Sequence, residues 1–257
     1  MAKNHDVIID KEKCIGCGLC AKDCVSGAIR VEEGKAVVNT MGCIACGHCE
    51  AICPKNAVTI TGFHEEPIEF EEQTRLDPET LMKAIQTRRT IRVFKDQEVP
   101  KEVVKQIIEA GRLAPTGGNS QDTFYVVLGS KQAELEGLAV KLFQKITQMA
   151  KPILRFLKGM NIEEHFFFKK APLVIVIMGS KVNASLAAEN MAFMAEAHGL
   201  GVLYSGFFTM CVNQNRKIRE IMRLKRGEKA VTTLVMGYPG VKYHRTVRRE
   251  AAKVRTL

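Results

Sequence analysis

The chain has 257 residues, of which 46% are hydrophobic and 26% charged, and its formal net charge is +10. This composition is typical of a folded globular protein and excludes an intrinsically disordered chain. No apolar run approaches the roughly 20 residues of a membrane-spanning helix, and the first six residues lack the apolar core of a secretory signal. We therefore expect a cytoplasmic protein with no membrane partner.

The positive charge is confined to the larger part of the chain. Residues 1–62 contain seven basic and seven acidic residues, whereas residues 63–257 contain 31 basic and 21 acidic residues, a difference of +10. Nucleic-acid binding is one interpretation of such a charge. The chain has no aromatic-and-basic stripe and no known reader motif, so we expect no nucleic-acid partner; a phosphate-bearing cofactor and an acidic electron donor would use the same charge.

Eight of the nine cysteines lie between Cys14 and Cys53, in two runs of identical spacing that start 29 residues apart. In a chain without a secretory signal, clustered cysteines are more typical of metal ligands than of disulfides. The spacing, C-x2-C-x2-C-x3-C, is that of proteins with two [4Fe–4S] clusters, in which the fourth cysteine of each run ligates the other cluster. The predicted ligand sets are Cys14, Cys17, Cys20 and Cys53 for one cluster, and Cys43, Cys46, Cys49 and Cys24 for the other.

Zinc is the alternative metal for these cysteines, since C-x2-C pairs are common in zinc sites. A zinc site needs one set of four ligands, whereas here two sets interleave, which favours iron–sulfur clusters. Residues 1–62 resemble a bacterial two-cluster ferredoxin, apart from Val25 where the second run has Pro54. The resemblance implies an electron-transfer domain, and the oxygen sensitivity of exposed clusters implies an anaerobic setting.

The remaining pattern predicts an α+β body that begins after a linker. A short strand at Val58–Gly62 is followed by an acidic segment, and we assign residues 63–76 as the linker. Asp77 and Pro78 form a helix start, so the second domain is predicted to span residues 77–257. Helices are predicted at about 100–113, 131–150, 183–198 and 213–223, and strands at 124–128, 173–178, 202–204 and 231–236.

Two phrases carry the candidate chemistry of the second domain. Arg88-Arg89-Thr90-Ile91-Arg92 is a basic run at a helix end, and Ala114-Pro115-Thr116-Gly117-Gly118-Asn119-Ser120-Gln121 is a polar turn after the next helix. With Gly199-Leu-Gly, Tyr204-Ser-Gly-Phe and Gly237-Tyr-Pro, they resemble the nitroreductase family over residues 76–249. The resemblance implies a nitroreductase-type FMN domain that forms a homodimer, fused to the small ferredoxin-like domain.

The resemblance also implies the cofactor contacts. Arg88, Arg89 and Thr90 match the flavin-binding start, where arginine and a hydroxyl suit a phosphate. Arg92 matches the basic residue near flavin N1 and O2, where a cation supports the negative charge of the reduced ring. The other matching residues are Pro115, Thr116, Gly117 and Asn119 along the ring and ribityl chain, Ser205 and Gly206 at N5, and Arg245 at the phosphate. For Arg245, an exposed surface arginine is the alternative.

Some residues depart from the family pattern or stay open. Asp122-Thr123 stand where the family often has Pro-Trp, and the chain has no tryptophan. Residues 163–168 are interpreted either as a mobile lid over the flavin or as an amphipathic helix packed on the dimer. Cys211 lies in an apolar stretch and is expected to be a core residue.

Taken together, the resemblances imply an FMN-dependent oxidoreductase in which FMN does the chemistry. Its two [4Fe–4S] clusters would pass electrons to or from FMN, and its acceptor would be a small molecule such as a nitroaromatic, quinone or enone. The donor is expected to be ferredoxin or NAD(P)H; no G-x-G-x-x-G unit indicates a separate nicotinamide domain. Two alternatives stay open: a flavoprotein that relays electrons to a protein partner or senses redox state, and a reductive dehalogenase-like relative.

Overall fold

The computed structural model describes residues 5–63, 65–70, 75–150 and 159–257. The chain forms two compact units: Met1–Arg75 with Thr116–Ser120, and Leu76–Pro115 with Gln121–Leu257. Residues 64 and 71–74 of the predicted linker lie outside the described residues.

The first unit is built from the two halves of the internal repeat. Its strands are β1 (Val7–Ile9), β2 (Ile29–Glu32), β3 (Lys35–Val38) and β4 (Val58–Ile60), and its helices are α1 (Leu19–Asp23) and α2 (His48–Ala51). β1 pairs with β4 and β2 with β3, both antiparallel. Each helix begins directly after a glycine in the left-handed region, Gly18 (φ 77°) and Gly47 (φ 80°), a conformation that glycine adopts without steric cost.

The second unit is a four-stranded antiparallel sheet with helices on both faces. Its elements are α3 (Pro78–Thr87), α4 (Lys101–Arg112), β5 (Phe124–Val127), α5 (Gln132–Ala150), β6 (Leu173–Met178), α6 (Lys181–Ala197), β7 (Gly201–Tyr204), α7 (Gly206–Gln214), α8 (Arg216–Ile221) and β8 (Ala230–Gly237). The strand order is β5-β6-β8-β7. Among the described helices, none is both long enough and apolar enough to cross a membrane. The predicted α+β class is confirmed.

The central strand β6 explains why this unit has two cores. All six of its residues are buried. Because side chains alternate between the faces of a strand, Val174 and Val176 pack with α5 and α7 residues such as Phe143 and Phe208. Residues Leu173, Ile175 and Ile177 pack on the other face with α4 and α6, as with Ile107 and Met191. A continuous apolar run is what a strand covered on both faces requires.

The helix predicted at 213–223 is interrupted in the structure. The chain forms α7 and α8 on either side of Asn215, which has an extended backbone (φ −104°, ψ 114°). The Asn215 side chain accepts a hydrogen bond from the Ile218 backbone N–H at 3.0 Å, which caps α8. Asparagine at this position offers an N-cap that competes with helix continuation.

Candidate functional site

The eight clustered cysteines line two small cavities in the first unit. Cavity I is lined by Cys14, Cys17, Cys20 and Cys53. Cavity II is lined by Cys24, Cys43, Cys46 and Cys49. Each cavity thus takes three cysteines from one run and the fourth from the other. Within the described ranges, no three His, Cys, Asp or Glu side chains converge closely enough to hold a single metal ion. All-thiol sets spread around a cavity suit a polynuclear cluster better than one zinc ion.

Backbone N–H groups point at the thiols of both cavities. The Ala36 N–H donates to Cys14 Sγ at 3.3 Å, and the Ala57 N–H donates to Cys53 Sγ at 3.2 Å. In cavity II the Ala45 N–H donates to Cys43 Sγ at 3.4 Å. Such donors stabilise a thiolate, and the Ala36 N–H is the largest cause of the lowered pKa of Cys14.

Burial acts in the opposite direction on other ligands. Desolvation raises the pKa of Cys49 to about 11 and also raises the pKa of Cys20. A thiol in such surroundings stays protonated at neutral pH unless a metal takes its proton's place. Metal binding would therefore have to displace a proton from each of these buried thiols.

A glycine allows the first cysteine loop to pass close to the β2–β3 turn. Gly16 has a φ of 63°, and a Cβ at this position would lie 2.0 Å from the Gly34 carbonyl oxygen. Any other residue would collide with that backbone. The close approach of the two loops fixes the first three cysteines of the run on one side of cavity I.

The second unit contains a larger cavity at the point where β7 leads into α7. We call this cavity III; its volume is about 540 Å³, within the usual range for small-molecule sites. It is lined by Arg92, Phe166, Phe167, Lys169, Leu203, Tyr204, Ser205, Gly206, Phe207 and Met210. Two cations, aromatic walls and a helix start make it suitable for a planar ligand that carries negative charge.

The start of α7 supplies backbone donors to this cavity. Ser205 is the N-cap residue, and its side chain makes no capping hydrogen bond to α7 in the described structure. The first N–H groups of a helix have no partner within the helix. Ser205 and Gly206 line cavity III, so donors of the first turn are available beside it.

The basic run lies beside β7 and is held there by backbone pairing. Thr90 bridges to Val202 in parallel, and the Ile91 N–H donates to the Val202 carbonyl at 3.1 Å. Ile91 is buried against Gly201, where a Cβ would lie 2.4 Å from Ile91 Cγ1. This packing places Arg92 in the lining of cavity III.

Arg89 carries a buried donor that the protein leaves unsatisfied. In the described structure, Arg89 Nε is buried and has no hydrogen-bond partner, while the guanidinium lies 5.6 Å from the centre of the Tyr243 ring. An unpaired buried charged donor is costly. The position is therefore suited to an anionic group that accepts this hydrogen bond.

Arg88 is held by a polar network that sequence reasoning missed. Its Nε lies 3.7 Å from Glu189 Oε1, and its guanidinium lies 6.0 Å from the centre of the Tyr204 ring. The Tyr204 hydroxyl donates to Glu189 Oε2 at 2.7 Å. Burial, then this hydrogen bond, raises the pKa of Tyr204. Burial also raises the pKa of Glu196 to about 7, against the opposing effect of Arg88. Glu189 lies about 100 residues after Arg88 in the chain, so no local pattern predicts these contacts.

The predicted residues after α4 are divided between the units. Pro115 follows α4 in the second unit, while Thr116, Gly117 and Asn119 group with the first unit. There the Asn119 side chain donates to the Ile44 and Ala45 carbonyls, at 3.1 and 2.6 Å. These carbonyls belong to the loop between Cys43 and Cys46, so this amide is engaged with the cysteine loop.

Arg245 lies in the exposed C-terminal segment. Residues 241–257 are all exposed and have no helix or strand. Arg245 does not line cavity III, whereas Tyr243, two residues earlier, contacts Arg89.

Residues 163–168 form neither of the structures considered from the sequence. The helix interpretation is wrong, because residues 164–170 form turns. Phe167 and Phe168 are 2% and 0% exposed, and the buried Glu136 carboxylate accepts their backbone N–H groups at 3.0 and 2.7 Å. This anchoring makes the segment part of the core wall of cavity III rather than a detached lid. Cys211, on α7, is likewise fully buried in the core.

Comparison with known proteins agrees with this division. The nitroreductase family model matches residues 85–238, more than half of the chain, and a 4Fe–4S dicluster domain model matches residues 6–54. A protein of Archaeoglobus fulgidus, provisionally named an NADH dehydrogenase/NAD(P)H nitroreductase, is 22% identical over 161 residues, which are 63% of this chain and 86% of the relative.

Two solved structures share the fold of about two thirds of this chain. A nitroreductase of Bacteroides fragilis, solved with bound FMN, superposes with a TM-score of 0.55 at 17% identity over 68% of this chain and 98% of its own. A BluB-like flavoprotein of Clostridium difficile superposes with a TM-score of 0.54 at 17% identity over 68% of this chain and 99% of its own.

Proposed function

Because the chain belongs to the nitroreductase family and carries a 4Fe–4S dicluster domain, we propose that it is an FMN-dependent oxidoreductase whose two [4Fe–4S] clusters pass electrons to or from FMN. The acceptor in this proposal is a small molecule such as a nitroaromatic, quinone or enone. The observation that carries the proposal is the combination in one chain of two all-cysteine cavities and a cationic cavity in a nitroreductase fold.

The cluster ligands in this proposal are the cysteines of cavities I and II. Cys14, Cys17, Cys20 and Cys53 would hold one cluster, and Cys24, Cys43, Cys46 and Cys49 the other. The grouping of the thiols and the N–H donors aimed at them support this assignment. Clusters of this kind exchange single electrons.

The second unit has residues suited to FMN. Arg89, with its unsatisfied buried Nε, is the strongest phosphate ligand, with Arg88 and Thr90 beside it. Arg92 would face the N1 and O2 edge, and the Gly206 backbone N–H would face N5. The predicted Ser205 donor is not available, because the Ser205 N–H donates to the Thr233 carbonyl at 2.8 Å. FMN, when bound, supplies both hydride transfer and one-electron chemistry. Pro115, Thr116, Gly117, Asn119 and Arg245 stay predicted contacts that rest on the family resemblance alone.

The protein's own contribution is position and electrostatics. Glu189 accepts from Tyr204 and pairs with Arg88, which holds the Arg88 guanidinium in one orientation. Arg92 and Lys169 make cavity III favourable for a ligand that gains negative charge on reduction. Phe166 and Phe207 form apolar walls that exclude water beside it.

A homodimer is part of the proposal. α3 buries none of its residues, and Leu81, Met82 and Ile85 on this helix are 39%, 53% and 48% exposed. An amphipathic helix with an uncovered apolar face is typical of an interface in an oligomer.

The test compares two electron donors under anaerobic conditions. We expect Cys17→Ala and Cys46→Ala to abolish turnover driven by reduced ferredoxin, while turnover driven by a dye that reduces FMN directly is retained. Cys211→Ala, which removes a core thiol outside both cavities, is the matched control and should retain both activities. Equal loss of both activities in a cavity variant that still binds FMN would contradict the proposal.

A second experiment identifies the electron donor. Rapid bleaching of the flavin band by NADH or NADPH would identify nicotinamide as the donor. Bleaching by reduced ferredoxin alone would show that electrons enter through the first unit.

A further inference from the structure

The two cysteine cavities differ in the charges around them. We propose that the cluster in cavity I has the higher reduction potential, because the ammonium groups of Lys11 and Lys35 are anchored beside its ligand Cys14, and that it is where an electron in the first unit comes to rest. The inference rests on the proposed function, since it requires a cluster in each cavity.

Two ammonium groups are fixed beside Cys14. Lys35 Nζ donates to the Cys14 carbonyl at 2.6 Å, and Lys11 Nζ donates to the Ala36 carbonyl at 2.5 Å. Ala36 itself donates its N–H to Cys14 Sγ. Both lysines are thus held within one residue of the same thiol, Lys35 in a half-buried position and Lys11 in an exposed one. Lys55, directly after Cys53-Pro54, lines cavity I itself.

Cavity II has apolar walls and acidic neighbours. Its lining includes Val25, Ala28, Ile29, Val38, Ile44 and Ile60, and among the described residues no lysine or arginine lines it. Its one imidazole, His48, pairs through Nδ1 with Asp23 Oδ2 at 3.0 Å. Two carboxylates contact residues of this lining, Asp23 at His48 and Glu50 at the Ile60 N–H, which donates to Glu50 Oε1 at 3.0 Å.

Hydrogen bonds to sulfur do not separate the two cavities. In cavity I, Cys14 and Cys53 accept backbone N–H groups at 3.3 and 3.2 Å. In cavity II, Cys43 accepts one at 3.4 Å, and Cys24 Sγ lies 3.4 Å from the Ser26 hydroxyl. Because each cavity has two such donors, the charges around the cavities are the difference that should decide the two reduction potentials.

The direction of the effect follows from electrostatics. A cluster with four thiolate ligands is anionic, and reduction adds one more negative charge. A fixed cation nearby stabilises the reduced form, and the interaction is stronger in a partly buried site than in water. Apolar walls and carboxylates disfavour the added charge. Cavity I should therefore be reduced first.

The test measures both cluster potentials in the full-length protein. The chain is loaded anaerobically with iron and sulfide, and the two signals are followed by electron paramagnetic resonance during a redox titration. Cys17→Ser, which alters a cavity I ligand, identifies the signal of that cavity. We expect Lys35→Met and Lys11→Met each to lower the potential of cavity I and to leave cavity II unchanged.

Two further variants separate charge from structure. Lys35→Arg keeps the charge and should keep the wild-type potential. Arg30→Gln removes one positive charge from the same hairpin. Arg30 pairs with Glu32 and is not in the lining of either cavity, so this variant should shift neither potential. Equal potentials in the wild type, a higher potential in cavity II, or equal shifts of both signals in Lys35→Met would overturn the inference. Analysis for iron distinguishes the other failure: about four rather than about eight irons per chain would overturn the proposed function as well.

Discussion

The two units of this protein use different means to stay folded. The first unit has a small apolar core in which Cys14, Cys20 and Cys49 stand among alanines, valines and isoleucines. The second has two cores on either face of a sheet whose central strand is buried throughout. A domain of the first kind usually needs a metal to be stable, whereas one of the second kind does not. In the proposed function, the clusters would therefore hold the first unit together as well as carry electrons, whereas the second unit would fold without FMN.

Iron removal should give the largest effect and should affect the two units differently. We expect a strong chelator under reducing conditions to unfold the first unit, since its ligands are also its core, and to leave the second unit folded. Peptide-resolved hydrogen exchange would show loss of protection in β1 and β4 with full protection in β6. Removal of FMN alone is the control and should leave both units protected. Persistent protection of β4 without iron would show that the comparison is wrong.

Loss of the proposed phosphate ligand, Arg89, should separate FMN binding from folding in the second unit. Arg89→Gln removes the charged donor whose buried Nε has no protein partner. A charge-assisted hydrogen bond contributes about 1.5–3 kcal/mol, so FMN affinity should fall by about 10- to 100-fold. The melting temperature of the flavin-free protein should not fall, because that protein loses only an unsatisfied buried donor. Titration with FMN measures the first quantity and calorimetry the second.

The matched control for Arg89 is an arginine far from any cavity. Arg216 is exposed and pairs with Glu220 one turn later on α8. Arg216→Gln removes the same charge and should bind FMN as the wild type does. An FMN affinity in Arg89→Gln equal to that of this control would place the phosphate elsewhere.

The sequence predicted best those features that arise from residues near one another in the chain. The strand at 173–178 and the helix start at Asp77 depend on local pattern, and both are present. The two cysteine sets could be assigned from the repeat, because its spacing determines which cysteines can reach the same cluster. The bridge from Thr90 to Val202 joins segments more than 100 residues apart and has no local signal.

The errors have the same origin. Residues 163–168 were interpreted as a helix or a lid, because sequence pattern does not reveal that Glu136 on α5 accepts the backbone N–H groups of Phe167 and Phe168. The continuous helix at 213–223 failed because the side chain of Asn215 offered a local cap. Tertiary acceptors and side-chain caps override periodicity in both cases.

The smallest expected effect is a pH dependence confined to the second unit. Burial raises the pKa of Glu196 to about 7, from its usual value of 4.5. A carboxyl whose pKa is higher in the folded than in the unfolded state contributes stability that is fully present below pH 4.5 and is lost as the pH rises through 7. We expect the second unit to lose stability modestly between these values, and Glu196→Gln to remove that slope, since the amide stays neutral throughout.

Chemical denaturation of the flavin-free protein at a series of pH values measures this pH dependence of stability, with Glu220→Gln on the exposed face of α8 as the control. A slope that survives in Glu196→Gln would assign the titration to another group. Because Glu196 and Glu189 both act on Arg88, a shift in the pH dependence of FMN affinity in the same variant would tie the carboxyl to the cofactor site as well as to the fold.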